Sequence, residues 1–208
     1  MRIKICGLFR DEDIDYVNEA RPDYIGFVFA ESTRQVSQAL AQYLRFRLAD
    51  SIVPVGVFVN APIAFIAELY RNGIISMAQL HGSEDESYIV QLKKISETSV
   101  RQTKIAPIKV IKTIIHEKIK SNIPLPPSAD FILLDSGAGS GKTFDWDQLK
   151  SFKIKQPWFL AGGININNIE KSMELNPFTV DISSGAETKG VKDRKKILEL
   201  VKIVRQVN

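Results

Sequence analysis

The sequence predicts a closed parallel (β/α)₈ barrel, a single TIM-barrel domain spanning residues 1–208. Three observations carry this. Eight short β-branched runs alternate strictly with stretches of helical periodicity, and strict alternation argues for a parallel sheet. The 208 residues divided over eight units leave about 26 residues each, the size a βα unit needs. Several of the strands end in a polar residue and a glycine-containing loop, as expected where strand ends converge on one mouth. Periodicity alone also permits an open doubly wound sheet; the strand-end residues favour closure.

In chain order the strands are Arg2–Cys6, Tyr24–Phe29, Val53–Val59, Met77–Leu80, Ile108–Lys112, Phe131–Leu134, Trp158–Leu160 and Thr179–Ile182. Each is short and rich in residues that fit a pleated, buried surface. The helices are expected at Glu12–Ala20, Ser37–Ala49, Pro62–Arg71, Glu84–Lys94, Ile114–Ser121, around Trp146–Phe152, at Asn167–Glu174 and at Lys192–Val204. Ser37 is a suitable N-cap, and Pro62 suits a first turn. The three prolines of Ser121–Pro127 mark a loop or a degraded crossover. They do not mark a linker, because the βα beat continues across them.

Composition narrows the function classes. Hydrophobic residues are 44% and charged residues 25%, ordinary for a soluble globular protein. The net charge of +4 is mild, and the basic residues are scattered apart from Lys192, Arg194, Lys195 and Lys196. That cluster reads as a solvated helix face rather than a nucleic-acid stripe. A slight positive field suits an anionic small substrate. The one cysteine, Cys6, cannot form an internal disulfide or a zinc cluster. No apolar leader or bilayer-length run is visible, so a cytoplasmic protein without membrane or nucleic-acid partners is expected.

Side chains alternate along a strand, so Lys4 and Cys6 share one face. So do Gln79 and His81, then Phe131, Leu133 and Asp135, and finally Thr179, Asp181 and Ser183. If these faces point inward, their polar members meet. The loops at Gly162-Gly163 and Ser183-Ser184-Gly185 follow strands seven and eight, where barrels often bind phosphate through backbone N–H groups. Taken singly, each residue has a plainer reading. A lone cysteine is usually a small buried hydrophobe, Asp135 can be a turn former, His81 a structural histidine and Arg34 a surface arginine. The run Gly137–Thr143 imitates a phosphate-binding GK[ST] loop, but the required glycine falls on Ser136, so the spacing fails.

Together KICGL (Lys4–Leu8), GFVFAESTRQV (from Gly26), VGVFVN (Val55–Asn60), QLHG (Gln79–Gly82), LLDSGAGSGKTFDW, FLAGGIN and DISSGAETKGVKD (Asp181–Asp193) resemble the phosphoribosylanthranilate isomerase family over essentially the whole chain. The resemblance implies a ribulose-phosphate-binding barrel that catalyses an Amadori rearrangement in tryptophan biosynthesis, with no metal and no cofactor. It implies Cys6 as general base, Asp135 as general acid, and Arg34 as the partner of the anthranilate carboxylate. Gln79, His81 and Asp181 are then candidate substrate contacts, and Asp181 could equally orient a neighbour. Gly141, Gly162, Gly163, Ser183, Ser184 and Gly185 are candidate phosphate-binding residues. The loop after Asp135 departs from the family, being shorter than in many members.

Lys4 has two readings: its ammonium lowers the pKa of Cys6, or it pairs with Asp181 inside the barrel. The rivals to the family are an indole-glycerol-phosphate synthase, a pentose-phosphate epimerase and a non-catalytic phosphometabolite-binding barrel. Either a monomer or a homodimer is expected, with a phosphorylated small molecule as substrate.

Overall fold

The computed structural model describes residues 1–98, 107–115, 125–135 and 154–206. Eight parallel strands close on themselves in chain order: β1 (Arg2–Cys6), β2 (Tyr24–Val28), β3 (Val53–Phe58), β4 (Met77–Leu80), β5 (Lys109–Ile115), β6 (Phe131–Asp135), β7 (Trp158–Ala161) and β8 (Thr179–Ile182). Closure is made by β8 pairing with β1, with Asp181 opposite Lys4. Around the barrel lie α1 (Asp11–Ala20), α2 (Gln38–Arg47), α3 (Ile63–Arg71), α4 (Glu86–Thr98), a short helix at Ile169–Met173, and a C-terminal helix at Arg194–Gln206.

The strands bury both faces, which is why they read as nearly continuous apolar runs. Outward residues such as Ile3, Ile5, Leu80, Ile132 and Val180 pack against helix residues including Ile14, Leu44, Ile66, Leu92 and Leu200. Inward residues form a second cluster of Tyr24, Val55, Met77, Ile111, Phe131, Leu133, Phe159 and Ala161. That cluster fills the barrel with side chains, so polar groups can gather only at its upper end. The predicted Ser37 cap is present: its Oγ accepts a hydrogen bond from Leu40 N at 3.1 Å.

Two expectations are corrected. A helix beginning at Ile114 does not form there, because β5 runs to Ile115 and pairs Ile115 with Asp135. Val110, Ile111, Thr113, Ile114 and Ile115 are β-branched and favour the strand. The rest of that expected helix and the one around Trp146–Phe152 lie outside the described residues.

The last helix starts at Arg194, not Lys192, and Asp193 caps it through hydrogen bonds from Lys195 N and Lys196 N. Lys192 belongs instead to a hairpin, β9 (Glu187–Thr188) and β10 (Val191–Lys192). Its two-residue turn, Lys189-Gly190, has φ of 54° and 81°, positive at both positions as a type I′ turn requires. Lys192 is therefore buried rather than part of a solvated basic face.

Candidate active site

Inward alternation carries a set of polar side chains to the C-terminal ends of the strands. A cavity of about 170 Å³ there is lined by Cys6, Gln79, His81, Asp135, Gly162, Gly163, Asp181, Ser183 and Ser184. These come from β1, β4, β6, β8 and the loops after β7 and β8, so residues as far apart in the chain as Cys6 and Ser184 share one mouth. Two larger clefts lie at the opposite end of the barrel. The first, of about 660 Å³, includes Arg2, Asp23, Phe178 and Arg205; Arg205 pairs with Asp23 at 3.0 Å and Arg2 lies over the Phe178 ring. The second, of about 480 Å³, is bounded by residues such as Tyr24, Tyr70 and Lys109. Neither matches the convergence of acid, thiol and glycine loops seen at the mouth.

Beneath the cavity, fully buried Lys4 spans the barrel. Its Nζ donates to Asp181 Oδ2 at 2.7 Å and to Gln79 Oε1 at 2.8 Å. Because Oε1 is occupied, Gln79 presents its Nε2 to His81 Nδ1, 3.5 Å away. That assignment makes Nδ1 the acceptor and leaves the proton on Nε2, which stands 3.5 Å from Asp135 Oδ2. Burial, partly offset by Asp135, pushes His81 below the ordinary histidine value, so the ring is neutral at neutral pH. Both 3.5 Å contacts are at the long limit for hydrogen bonds.

Both readings of Lys4 meet in one geometry. It pairs with Asp181, and its charge lowers the Cys6 pKa. Burial is the larger effect, however, and with Asp181 it pushes the thiol above an ordinary cysteine. Lys4 thus acts in the expected direction without setting the outcome: desolvation penalises the thiolate more than one nearby, already paired ammonium favours it. Lys4 itself is pushed down by burial, but Asp181 and Cys6 more than reverse this and its pKa is raised.

Two glycines shape the thiol's surroundings. A Cβ on Gly26 would lie 2.5 Å from Cys6 Sγ. Gly7 has φ +83°, and a Cβ there would lie 2.5 Å from Arg34 Cδ, so Arg34 rests directly against the turn that follows Cys6. Gly185 does not line the cavity but presses on the β7 loop. Its added Cβ would stand 1.9 Å from Ile164 O, so only glycine lets the two loops meet. Gly162 and Gly163 both have positive φ, 99° and 65°, a conformation that glycine adopts without strain. Gly141 and the run Gly137–Thr143 lie outside the described residues. No three His, Cys, Asp or Glu side chains among the described residues are grouped as a metal site requires.

The family model described as N-(5'phosphoribosyl)anthranilate (PRA) isomerase matches residues 3–203. The chain belongs to this family. It is 47% identical to the N-(5'-phosphoribosyl)anthranilate isomerase of Endomicrobium trichonymphae, over 99% of each chain. Among solved structures, TrpF from Jonesia denitrificans superposes with a TM-score of 0.83 at 30% identity, covering 100% of this chain and 98% of that one. A phosphoribosyl anthranilate isomerase in complex with reduced 1-(o-carboxyphenylamino)-1-deoxyribulose 5-phosphate superposes with a TM-score of 0.75 at 29% identity, over 99% of each chain. The barrel is therefore an isomerase fold of the phosphoribosylanthranilate type.

Within this isomerase frame, sequence reasoning missed two buried ions. Glu187 and Lys192 form an ion pair of 2.5 Å on the β9–β10 hairpin, and Lys192 Nζ also donates to Ser183 O at 3.1 Å. Glu187 in turn holds Arg34, Nε to Oε1 and Nη2 to Oε2, both at 2.7 Å. The one signal available was the polar Lys189-Gly190 turn, weaker than Asn-Gly or Asp-Gly. No helix among the described residues is long and apolar enough to cross a membrane.

Proposed function

We propose that the mouth of this barrel performs the family's step in tryptophan biosynthesis. That step is the Amadori rearrangement of N-(5'-phosphoribosyl)anthranilate to 1-(2-carboxyphenylamino)-1-deoxyribulose 5-phosphate, with Cys6 as general base and Asp135 as general acid. The observation that carries the reading is the convergence of thiol and carboxyl on one cavity, flanked by two glycine loops pressed together at Gly185. One side of the cavity supplies acid, another base, and the glycine loops bring backbone N–H groups toward a phosphate.

The chemistry needs both groups. Asp135 protonates the ring oxygen, the bond from that oxygen to C1 breaks, and the nitrogen lone pair forms a C1 iminium. Cys6 as thiolate removes the C2 proton, and the electron pair moves through C2–C1 to neutralise the iminium nitrogen. The resulting enolamine gains a proton at C1 while its C2 hydroxyl gives one up, which yields the ketone and returns both protein groups to their starting states. Substrate and product are isomers, so no oxidant or reductant is consumed. The buried, raised thiol fits this order of events. Once the iminium forms, its positive charge stands beside Cys6 and favours the thiolate at the moment the base is required.

Arg34 pairs with the aryl carboxylate, and Gly162, Gly163, Ser183, Ser184, Gly185 and Gly141 receive the phosphate. Asp181, with one oxygen held by Lys4 and Oδ1 without a hydrogen-bond partner among the described residues, accepts from a ribose hydroxyl. Gln79 and His81 line the same wall. The test is a coupled assay that follows the fall of anthranilate fluorescence with purified protein. Loss of a positioned acid or base costs about 10²- to 10⁴-fold in rate, so Cys6→Ala and Asp135→Asn should each lower kcat by that order. An inactive wild type, or near-full activity in both variants, sinks the assignment.

A further inference from the structure

The least explained feature of the mouth is a buried carboxylate that faces two cations and lines no part of the cavity. Glu187 has a side chain only 5% exposed. It grips Arg34 with both oxygens and Lys192 with one of them. Arginine carries five N–H donors on a rigid plane: one on Nε and two on each Nη. Glu187 takes the Nε–H and one Nη2–H, the side-on edge. The end-on edge, one N–H from each Nη, is a second matched fork, and Nη1 donates to nothing among the described residues. The Arg34 side chain is 27% exposed, so this edge is open to a ligand. Gly7 completes the clamp by letting the arginine stem lie against the turn after Cys6.

We propose that Glu187 is a positioning residue that fixes Arg34 side-on, so that the opposite guanidinium edge is presented as a ready fork to the aryl carboxylate of the substrate. The idea rests on the reading of Arg34 given above. A free arginine side chain would have to be ordered at each binding event; one already held on two of its donors does not, and bidentate carboxylate recognition depends on that plane being fixed. Lys192 gives the clamp its second point. By donating to both Glu187 and the Ser183 carbonyl, it ties the carboxylate end of the mouth to the loop that receives the phosphate. The distance between the two anionic ends is thus set by the hairpin.

The experiment compares two stable product analogues: the reduced carboxyphenylamino-deoxyribulose phosphate and the same molecule lacking the carboxyl group. Their inhibition constants are measured for wild type, Glu187→Gln, Glu187→Asp and Arg34→Met. Wild type should favour the carboxylated analogue. Glu187→Gln should cut that preference by about tenfold, the order expected for one charge-assisted contact, while leaving the other analogue and kcat nearly unchanged. Glu187→Asp keeps the charge opposite Lys192 but is one methylene short of Arg34, so it should lose preference without losing stability. It remains informative if Glu187→Gln fails to fold.

Full preference retained in Glu187→Asp, or equal weakening of both analogues in either Glu187 variant, overturns the inference and marks Glu187 as structural. A wild type with no preference refutes instead the Arg34 assignment. A preference abolished in Arg34→Met but intact in the Glu187 variants leaves that assignment standing and removes only the role given to Glu187.

Discussion

Replacing Lys4 with Met tests both halves of its role at once. The residue is wholly buried, its ammonium lies 2.7 Å from Asp181 Oδ2, and Asp181 Oδ1 has no hydrogen-bond partner among the described residues. Methionine is close in volume and flexible, so the packing loss is small, less than about 1.5 kcal/mol. The dominant cost is a carboxylate left buried without its cation, about 3–5 kcal/mol. A domain of this size is stable by roughly 5–15 kcal/mol, so Lys4→Met should fold but unfold at distinctly lower urea. Adding Asp181→Asn removes the stranded charge and should recover more than half of the loss. In the same protein the Cys6 thiol loses the cation that lowers its pKa, and burial still pushes it up. The pH midpoint of thiol alkylation must therefore move further upward. A stability loss below about 1 kcal/mol would contradict the buried-pair accounting, and an unmoved midpoint would show that Lys4 does not act on Cys6.

The remaining expectations concern glycines and pH. Gly26→Ala drives a Cβ to within 2.5 Å of Cys6 Sγ, and displacing a reacting atom by about 1 Å can cost up to about 10²-fold in rate; kcat should fall with KM little changed, and an undiminished kcat would mean the thiol position is not critical. Gly185→Ala forces apart the loops after β7 and β8, because its Cβ would meet Ile164 O at 1.9 Å. Overpacking of this kind costs about 1–3 kcal/mol, and inhibition by inorganic phosphate should weaken in parallel; unchanged phosphate affinity would separate Gly185 from the phosphate site. At acid pH, Glu187 and Glu84 are both desolvated, yet hydrogen bonds and cations hold them below the ordinary glutamate value. The unfolded chain then binds more protons, so their contribution is present above the ordinary value of 4.5 and is lost as pH falls through the depressed ones. At alkaline pH the raised Cys6 and Lys4 reverse the sign. Stability should decline once pH passes 9.0 and again past 10.5, the ordinary values of the two groups. A urea-midpoint profile flat from pH 7 to 11 would contradict this.

The barrel was legible in the sequence because its strands are buried on both faces. The regular alternation of short strands with helical stretches makes β1, β4 and β8 readable even though each carries a polar residue, and their predicted bounds match the structure. Alternation along those strands then places Lys4, Gln79 and Asp181 on one side, and the structure joins the three through Lys4 Nζ. What alternation could not carry lies where no period exists. The β9–β10 hairpin has two residues per strand, too few for any pattern, and its turn is Lys-Gly. Lys192 therefore looked like the start of a basic helix although its ammonium is buried against Glu187. The β5 error has the opposite cause. In Lys109–Ile115 the apolar residues Val110, Ile111, Ile114 and Ile115 have helical spacing although they are β-branched, and pairing with β6, a long-range event, decides for the strand.

The opposed influences on Cys6 explain why the site needs so many charges around one thiol. A base that is ionised at rest would sit as a buried anion close to Asp181 and facing the incoming phosphorylated substrate, which like charge disfavours. A thiol kept protonated by burial removes that repulsion during binding. It leaves the proton transfer to be driven by the cation that ring opening creates. Lys4 and Lys192 both lower the cost of the thiolate, but each is already paired with a carboxylate, so neither ionises Cys6 by itself. On this argument the rate should depend more steeply on the acid step at Asp135 than on bulk thiolate concentration. The pH profile of kcat should then rise less across the thiol range than the profile of Cys6 alkylation in the free protein. Identical profiles would mean that ionisation precedes ring opening.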